Sequence, residues 1–133
     1  MPAEGLQLWS KQLPLDALIH RFTVGADPET DLQLLPFDCM GSAAHVRMLA
    51  KVGLLTEADG RALLRVLQRI AEAAAEGTFP ILPEQEDGHT AIEKELTKEL
   101  GAAGQRVHLG RSRNDQVITA LRLWLRVQVV ALG

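Results

Sequence analysis

The chain has 133 residues, enough for one domain with a real core, and at 47% apolar and 23% charged it is neither disordered nor membranous by composition. It contains no run of about 18 apolar residues, so no transmembrane helix is expected, and Met1–Ser10 lacks the basic-then-apolar pattern of a secretory signal. A formal net charge of −3 and 4% aromatic residues argue against a nucleic-acid surface, and the single cysteine, Cys39, permits no internal disulfide and fits a cytoplasmic protein.

In chain order, residues 1–35 read as an irregular arm, because Pro2, Gly5, Pro14, Gly25, Pro28 and Pro36 interrupt every short apolar run. Trp9 and Phe22 give the arm enough to bury that it should pack on its own helices or on a neighbouring subunit. The first helix is predicted from about Phe37 to Val52, with Met40, Ala44 and Met48 on one stripe and Val46 and Leu49 beside it. Gly53 ends it, and Thr56 caps a second helix whose apolar face is Leu63, Leu64, Leu67, Ile70, Ala71 and Ala74. Gly77 and Pro80 close that element, which makes a helical hairpin, and residues 78–86 form a loop that Pro80 and Pro83 keep from being helical. Asp87 or Thr90 caps a third helix carrying Ile92, Leu96 and Leu100, which Gly101 and Gly104 stop.

The last helix starts near Ser112–Asp115. Val117, Leu121, Trp124 and Leu125 follow helical spacing, and Ile118, Val127, Val129 and Val130 widen the apolar surface almost all round. Such a helix needs several neighbours, more than the preceding helices supply. The fold class is therefore all-α, and the chain is expected to be part of a larger bundle or an obligate oligomer subunit.

The chemistry concentrates in Gly110-Arg111-Ser112-Arg113-Asn114-Asp115-Gln116-Val117. A glycine turn, two guanidinium groups, a hydroxyl and a carboxamide at a helix start make an anion site. The first N–H groups of a helix lack intrahelical partners, and arginine matches a carboxylate or phosphate with a planar fork. Taken alone, the octapeptide is more plainly explained by a solvated helix start capped by Asn114 or Asp115. Asp87, His89 and Glu93 form a second polar cluster at a loop-to-helix junction, for which a cap with a solvated histidine is the plainer explanation. His108, between Val107 and Leu109, reads as a partly buried structural histidine, and His20 and His45 have no acidic or cysteine partner at ligand spacing. No metal-ligand motif, glycine-rich phosphate loop or dinucleotide fingerprint is present, so neither metal nor cofactor is expected. Ser42 in Gly41-Ser42-Ala43-Ala44 lacks the second glycine of a nucleophile elbow and reads as close helix packing.

Three ordered segments together resemble the argininosuccinate lyases of the aspartase/fumarase superfamily. Asp38-Cys39-Met40-Gly41-Ser42-Ala43-Ala44-His45-Val46-Arg47-Met48-Leu49 is similar to D-x-x-G-S-x-A-H-x-x-M-L. Glu86-Asp87-Gly88-His89-Thr90-Ala91-Ile92-Glu93 is similar to E-D-x-H-x-x-x-E, and His108 to Val117 to H-T-G-R-S-R-N-D-Q-V.

The resemblance implies an all-helical homotetramer with a central bundle, and a domain division of 1–35 as arm, 36–110 as N-terminal helical domain and 111–133 as the start of the bundle. It implies reversible elimination of argininosuccinate to arginine and fumarate, without a cofactor. By the same resemblance Asn114 and Arg113 hold the succinyl end, Asp87 orients the other end or the site's hydrogen bonds with His89 nearby, and Ser112 and Thr23 add hydroxyl contacts. Asp115 caps or braces the turn.

The sequence departs from the family at Leu109, where threonine is usual, and in the arm, where only Thr23 stands near the family's substrate-binding serine. The family's acid histidine and serine base fall in motifs these residues do not contain, so the 133 residues alone are expected to be inactive. Adenylosuccinate lyase, or a non-catalytic helical assembly protein on the same scaffold, are the alternatives.

Overall fold

A computed structural model of the chain describes residues 16–25, 27–82, 85 and 87–133. Among these the structure is all-α: α1 (Ala17–Val24), α2 (Asp27–Lys51), α3 (Glu57–Ala75), α4 (Gly88–Leu100), the short α5 (Ala102–Gln105) and α6 (Arg113–Leu132). Trp9, Pro83, Glu86 and the side chain of His20 lie outside the described residues.

The helix ends follow local chemistry. Asp16 caps α1 by accepting from the N–H groups of Leu18 and Ile19. α2 ends in a paired-turn motif in which Leu54 N–H donates to Leu49 O and Gly53 N–H to Ala50 O. Gly53 takes the left-handed φ of 78° that this motif needs. Thr56 then caps α3 through Asp59 N–H, and Asp87 caps α4 through Thr90 N–H at 2.8 Å.

α3 folds back along α2, and α4 and α6 pack against α2 in turn. The core is Leu35, Cys39, Val46 and Leu49 of α2, Leu63, Val66, Leu67, Ile70 and Ala74 of α3, Ile92 and Leu96 of α4, with Leu55 and Val107 from the connections. The face expected for α3 is the face it buries, and Ile92, Leu96 and the partly buried Leu100 share the expected face of α4.

Three expectations are corrected. The first concerns the arm, which is not irregular throughout: α1 lies within it, and α2 begins at Asp27 rather than near Phe37. Pro28 falls in the first turn of α2, where a missing N–H is no loss. Pro36 lies inside the helix and leaves the Leu32 carbonyl without its intrahelical donor, but the burial of Leu35 and Cys39 on either side holds the helix together. The second narrows the expectation for Phe22: it does not pack on the described helices, being 88% exposed with Leu18 and Ile19 also exposed, which leaves the neighbouring-subunit half of that expectation.

The third concerns the stripe on α2. Met40, Ala44 and Met48 face outward, and the buried stripe is Leu35, Cys39, Ser42, Val46 and Leu49, with Asp38 beside it. An apolar count misses this face because two of its members are polar.

α6 packs its first half and leaves the second open. Gln116 and Ala120 are buried, and close approach to α2 is possible because Gly41 has no side chain: a Cβ there would sit 3.1 Å from Thr119 Cγ2. Beyond Leu125 the helix presents Val127, Val129, Val130 and Leu132 without cover from the described residues. That matches the expectation that the chain's own helices are too few to surround it.

Candidate functional site

The N-termini of α4 and α6 come together, and that meeting builds the site. α6 begins with a reciprocal cap. Ser112 Oγ accepts from Asp115 N–H at 3.3 Å, and Asp115 Oδ2 accepts from Ser112 N–H at 3.1 Å and from the Ser112 hydroxyl at 2.9 Å. The Ser112 backbone and hydroxyl donors hold the Asp115 carboxyl below its ordinary range. Ser112 is thus engaged in fixing the helix start, and Asp115 braces the turn.

The first residue of α6, Arg113, reaches across to the cap of α4. Its Nη1 lies 2.7 Å from Asp87 Oδ2, and its Nη2 donates to Thr90 Oγ1 at 3.5 Å. Asp87 therefore serves two helices, one oxygen on the Thr90 N–H and the other on Arg113.

The link between α4 and α6 is a string of tight turns, in which Val107 N–H donates to Gly104 O, Leu109 N–H to Arg106 O and Arg111 N–H to His108 O. Gly110 supplies a φ of 71° in the last of these turns. Two contacts pin the link to the rest of the chain: Arg106 donates to the Leu54 carbonyl, and His45 Nε2 lies 2.9 Å from the Leu109 carbonyl, a geometry that calls for the Nε2–H tautomer. So fixed, the link presents His108 and Arg111 beside His89 and Arg113, and these four with Gln116 and Lys94 line a cavity of about 630 Å³. A smaller cavity of about 220 Å³ also has His89 in its lining, with Asp31, Asp38 and Asp87.

A buried polar group borders the smaller cavity. Asp38 on α2 is 3% exposed, and its Oδ2 is 2.5 Å from His89 Nδ1. The approach is that of an ion pair rather than an aligned hydrogen bond. Burial works against a charged His89, but the Asp38 carboxylate, with Asp87 and Asp31 behind it, outweighs that and raises its pKa above the ordinary value. His108 goes the other way: burial, with His89, Arg111 and His45 nearby, pushes it down to about 4 against the opposing pull of Asp38. Two histidines lining one cavity thus have their proton affinities shifted in opposite directions by their surroundings. Ser42 Oγ, Arg111 Nη1 and both ring nitrogens of His108 are buried without a hydrogen-bond partner.

Of the residues singled out from sequence, the structure brings Arg113, Asp87 and His89 together, with Ser112 in the adjoining cap. Asn114 is exposed and lines neither cavity, and Thr23 lies on α1, where its hydroxyl donates to the Ile19 carbonyl at 3.0 Å. Asp38, His108 and Gln116 were not picked out as site residues, and Arg111 entered only as one of the two guanidinium groups of the octapeptide. A signal for Asp38 existed: it lies one helical turn from both Leu35 and Ser42, and an acid on a buried face needs a partner. Among the described residues no group of three or more histidine, cysteine, aspartate or glutamate side chains is placed to hold a metal, and no helix is long and apolar enough to cross a membrane.

A sequence model of a family described as lyase matches residues 7–132. The chain is similar to the argininosuccinate lyase of Thermotoga neapolitana, at 44% identity over 88% of this chain and 29% of that protein. It is similar to that of Bacteroides fragilis at 45% identity over 92% of this chain and 28% of that protein. The Stenotrophomonas maltophilia enzyme is 41% identical over 95% of this chain and 30% of its own length. The chain thus spans under a third of each of these relatives.

Proposed function

The chain belongs to this lyase family, and on that premise we propose that it is the N-terminal portion of an argininosuccinate lyase, which splits argininosuccinate reversibly into arginine and fumarate. The observation that carries this is the cationic wall at the paired helix starts, where Arg113, Arg111 and His89 face one cavity. In such an elimination a base removes the proton from the carbon next to a carboxylate. The electron pair first collects on that carboxylate as an aci form, then expels the nitrogen of arginine, which leaves with a proton from an acid. The charge that builds on the carboxylate oxygens is what pre-aimed guanidinium, amide and imidazolium donors stabilise.

In this division of labour Arg113 and Asn114 hold the succinyl end. Asp87 keeps Arg113 aimed while capping α4, and Ser112 with Asp115 fixes the helix start that carries both. Thr23 contributes a hydroxyl from the arm. The acid and base come from outside these 133 residues, so the chain in isolation turns over no argininosuccinate.

The arm precedes α2, the helical domain runs from the start of α2 at Asp27 to about residue 110, and 111–133 is the start of a bundle helix. The uncovered second half of α6 is packed by further helices of a cytoplasmic homotetramer, a role supported by Val130 at 75% exposure and Leu132 at 88%.

The test is turnover by the intact protein as its organism makes it. Argininosuccinate is expected to yield fumarate, and Arg113→Gln is expected to lower kcat/KM by about 10²–10³, the usual loss for one charge-stabilising donor. Turnover of adenylosuccinate instead would place the chain elsewhere in the family, and turnover of neither would leave a non-catalytic assembly protein.

A further inference from the structure

The lyase function assigned above makes no use of Asp38, yet this is the most deeply buried acid at the site. We propose that Asp38 is the positioning residue for His89: its carboxylate engages the Nδ1 edge of the ring and holds the imidazole as a charged donor, with Nε2–H left for a carboxylate of the substrate in the larger cavity. The inference rests on the anion-binding function proposed above and deepens it.

The geometry supports it in three ways. Asp38 Oδ2 is 2.5 Å from His89 Nδ1, and that nitrogen is itself buried. The Asp38 oxygens have no hydrogen-bond partner elsewhere, so His89 is the group that compensates this buried charge. His89 lines both cavities whereas Asp38 lines only the smaller, so with Nδ1 on Asp38 the Nε2 edge is the one left for a ligand in the larger cavity.

Charge state decides what that edge does. A neutral imidazole that gives its Nδ1–H to Asp38 presents a lone pair at Nε2, which repels a carboxylate. The imidazolium presents a second N–H, which binds one. Asp38 thus sets whether His89 attracts or rejects the substrate. The groups around the ring divide by sign: Asp31 and Asp38 on α2 and Asp87 at the start of α4 favour the charged form, whereas Arg111, Arg113 and a second imidazole, His108, line the same cavity. His108 is held neutral by burial, so it competes little with His89 for the proton.

The experiment is a pH titration of the histidine ring signals by NMR in the intact protein with isotope-labelled histidine, His89 being assigned by its loss in His89→Gln. Wild-type His89 is expected to titrate above about 6.5, the ordinary histidine value. In Asp38→Asn its proton affinity is expected to fall at least tenfold, and Asp38→Glu is expected to restore part of the loss. In the same variants the alkaline limb of kcat/KM for argininosuccinate should move to lower pH in step with the His89 titration. A purely structural role would scale that profile down without moving it.

A wild-type His89 that titrates at or below the ordinary value overturns the inference, even if Asp38→Asn fails to fold. So does a titration that Asp38→Asn leaves in place, or an activity profile that drops without shifting. If the protein does not act on argininosuccinate but the His89 titration follows Asp38 as described, the substrate assignment fails while the Asp38–His89 coupling is upheld.

Discussion

Gly104→Ala adds one methyl group to the chain, and the structure makes it a severe change. α5 lies so close to α4 that a Cβ on Gly104 would stand 2.4 Å from both the carbonyl carbon and the oxygen of Leu96, and 2.5 Å from Thr97 N. Ordinary contact begins near 3.4 Å, so the two backbones must separate by about an ångström, and no rotamer change can relieve the clash because every atom involved is main chain.

Overpacking of this kind typically costs about 1–3 kcal/mol. Here the shift also drags Val107, which is wholly buried, out of the core, and burial of a valine contributes about 1.5–3 kcal/mol. We expect a loss of at least about 3 kcal/mol, a large part of the roughly 5–15 kcal/mol that holds a typical domain together. Urea unfolding followed by far-ultraviolet circular dichroism measures it.

Gly53→Ala is the control. Gly53 has a left-handed φ of 78° with nothing within 4 Å of a built Cβ, so backbone strain of about 1–2 kcal/mol is all it should cost. If Gly104→Ala is within about 0.5 kcal/mol of wild type, the ordinary range for a harmless surface change, or no worse than Gly53→Ala, the close approach of α5 to α4 is wrong. The placement of His108 and Arg111 that follows from it would be wrong as well.

Four further outcomes are expected. Because the His108 pKa is lowered to about 4, the unfolded chain takes up a proton there more readily than the folded one, so stability falls as pH drops from about 6.5 to about 4, by up to roughly 3 kcal/mol. His108→Gln should lack that loss when the two unfolding curves are compared across this window. His89 has the opposite sign: its raised pKa stabilises the fold fully below about 6.5 and the contribution fades as pH rises through the folded-state value. Ser112→Ala removes the cap on α6 and should cost about 1 kcal/mol in the same denaturation assay. Cys39 is buried, and that burial, aided by Asp38, pushes its thiol up to about 12, so a thiol reagent at neutral pH should label it only as fast as the protein unfolds.

Much of this was legible in the sequence, and the rest was hidden for identifiable reasons. The α3 face, its Thr56 cap and the Gly53 and Gly77 stops are local events, written in apolar period and cap chemistry within a few residues. The start of α6 at Ser112–Asp115 was legible in the same way. The start of α2 was not, because prolines read as breaks where Pro28 sits harmlessly in a first turn and Pro36 is carried by packing.

The burial of Asp38 and Ser42 was hidden because α2 is covered by α3, α4 and α6 together, which a single-helix apolar count does not register. At the site, Arg113, Asp87 and His89 announce themselves by residue type. Asp38 and His89 are joined only by the packing of α4 on α2, which no spacing records.

The central claim is that these residues form the carboxylate-binding wall of an argininosuccinate lyase. The most direct measurement is fumarate release from argininosuccinate by the intact protein, wild type against Arg113→Gln at matched folding by circular dichroism. The claim requires ready turnover by the wild type and a loss of about 10²–10³ in kcat/KM for the variant. Wild-type protein that releases no fumarate, or an Arg113→Gln variant as active as its parent, would contradict it.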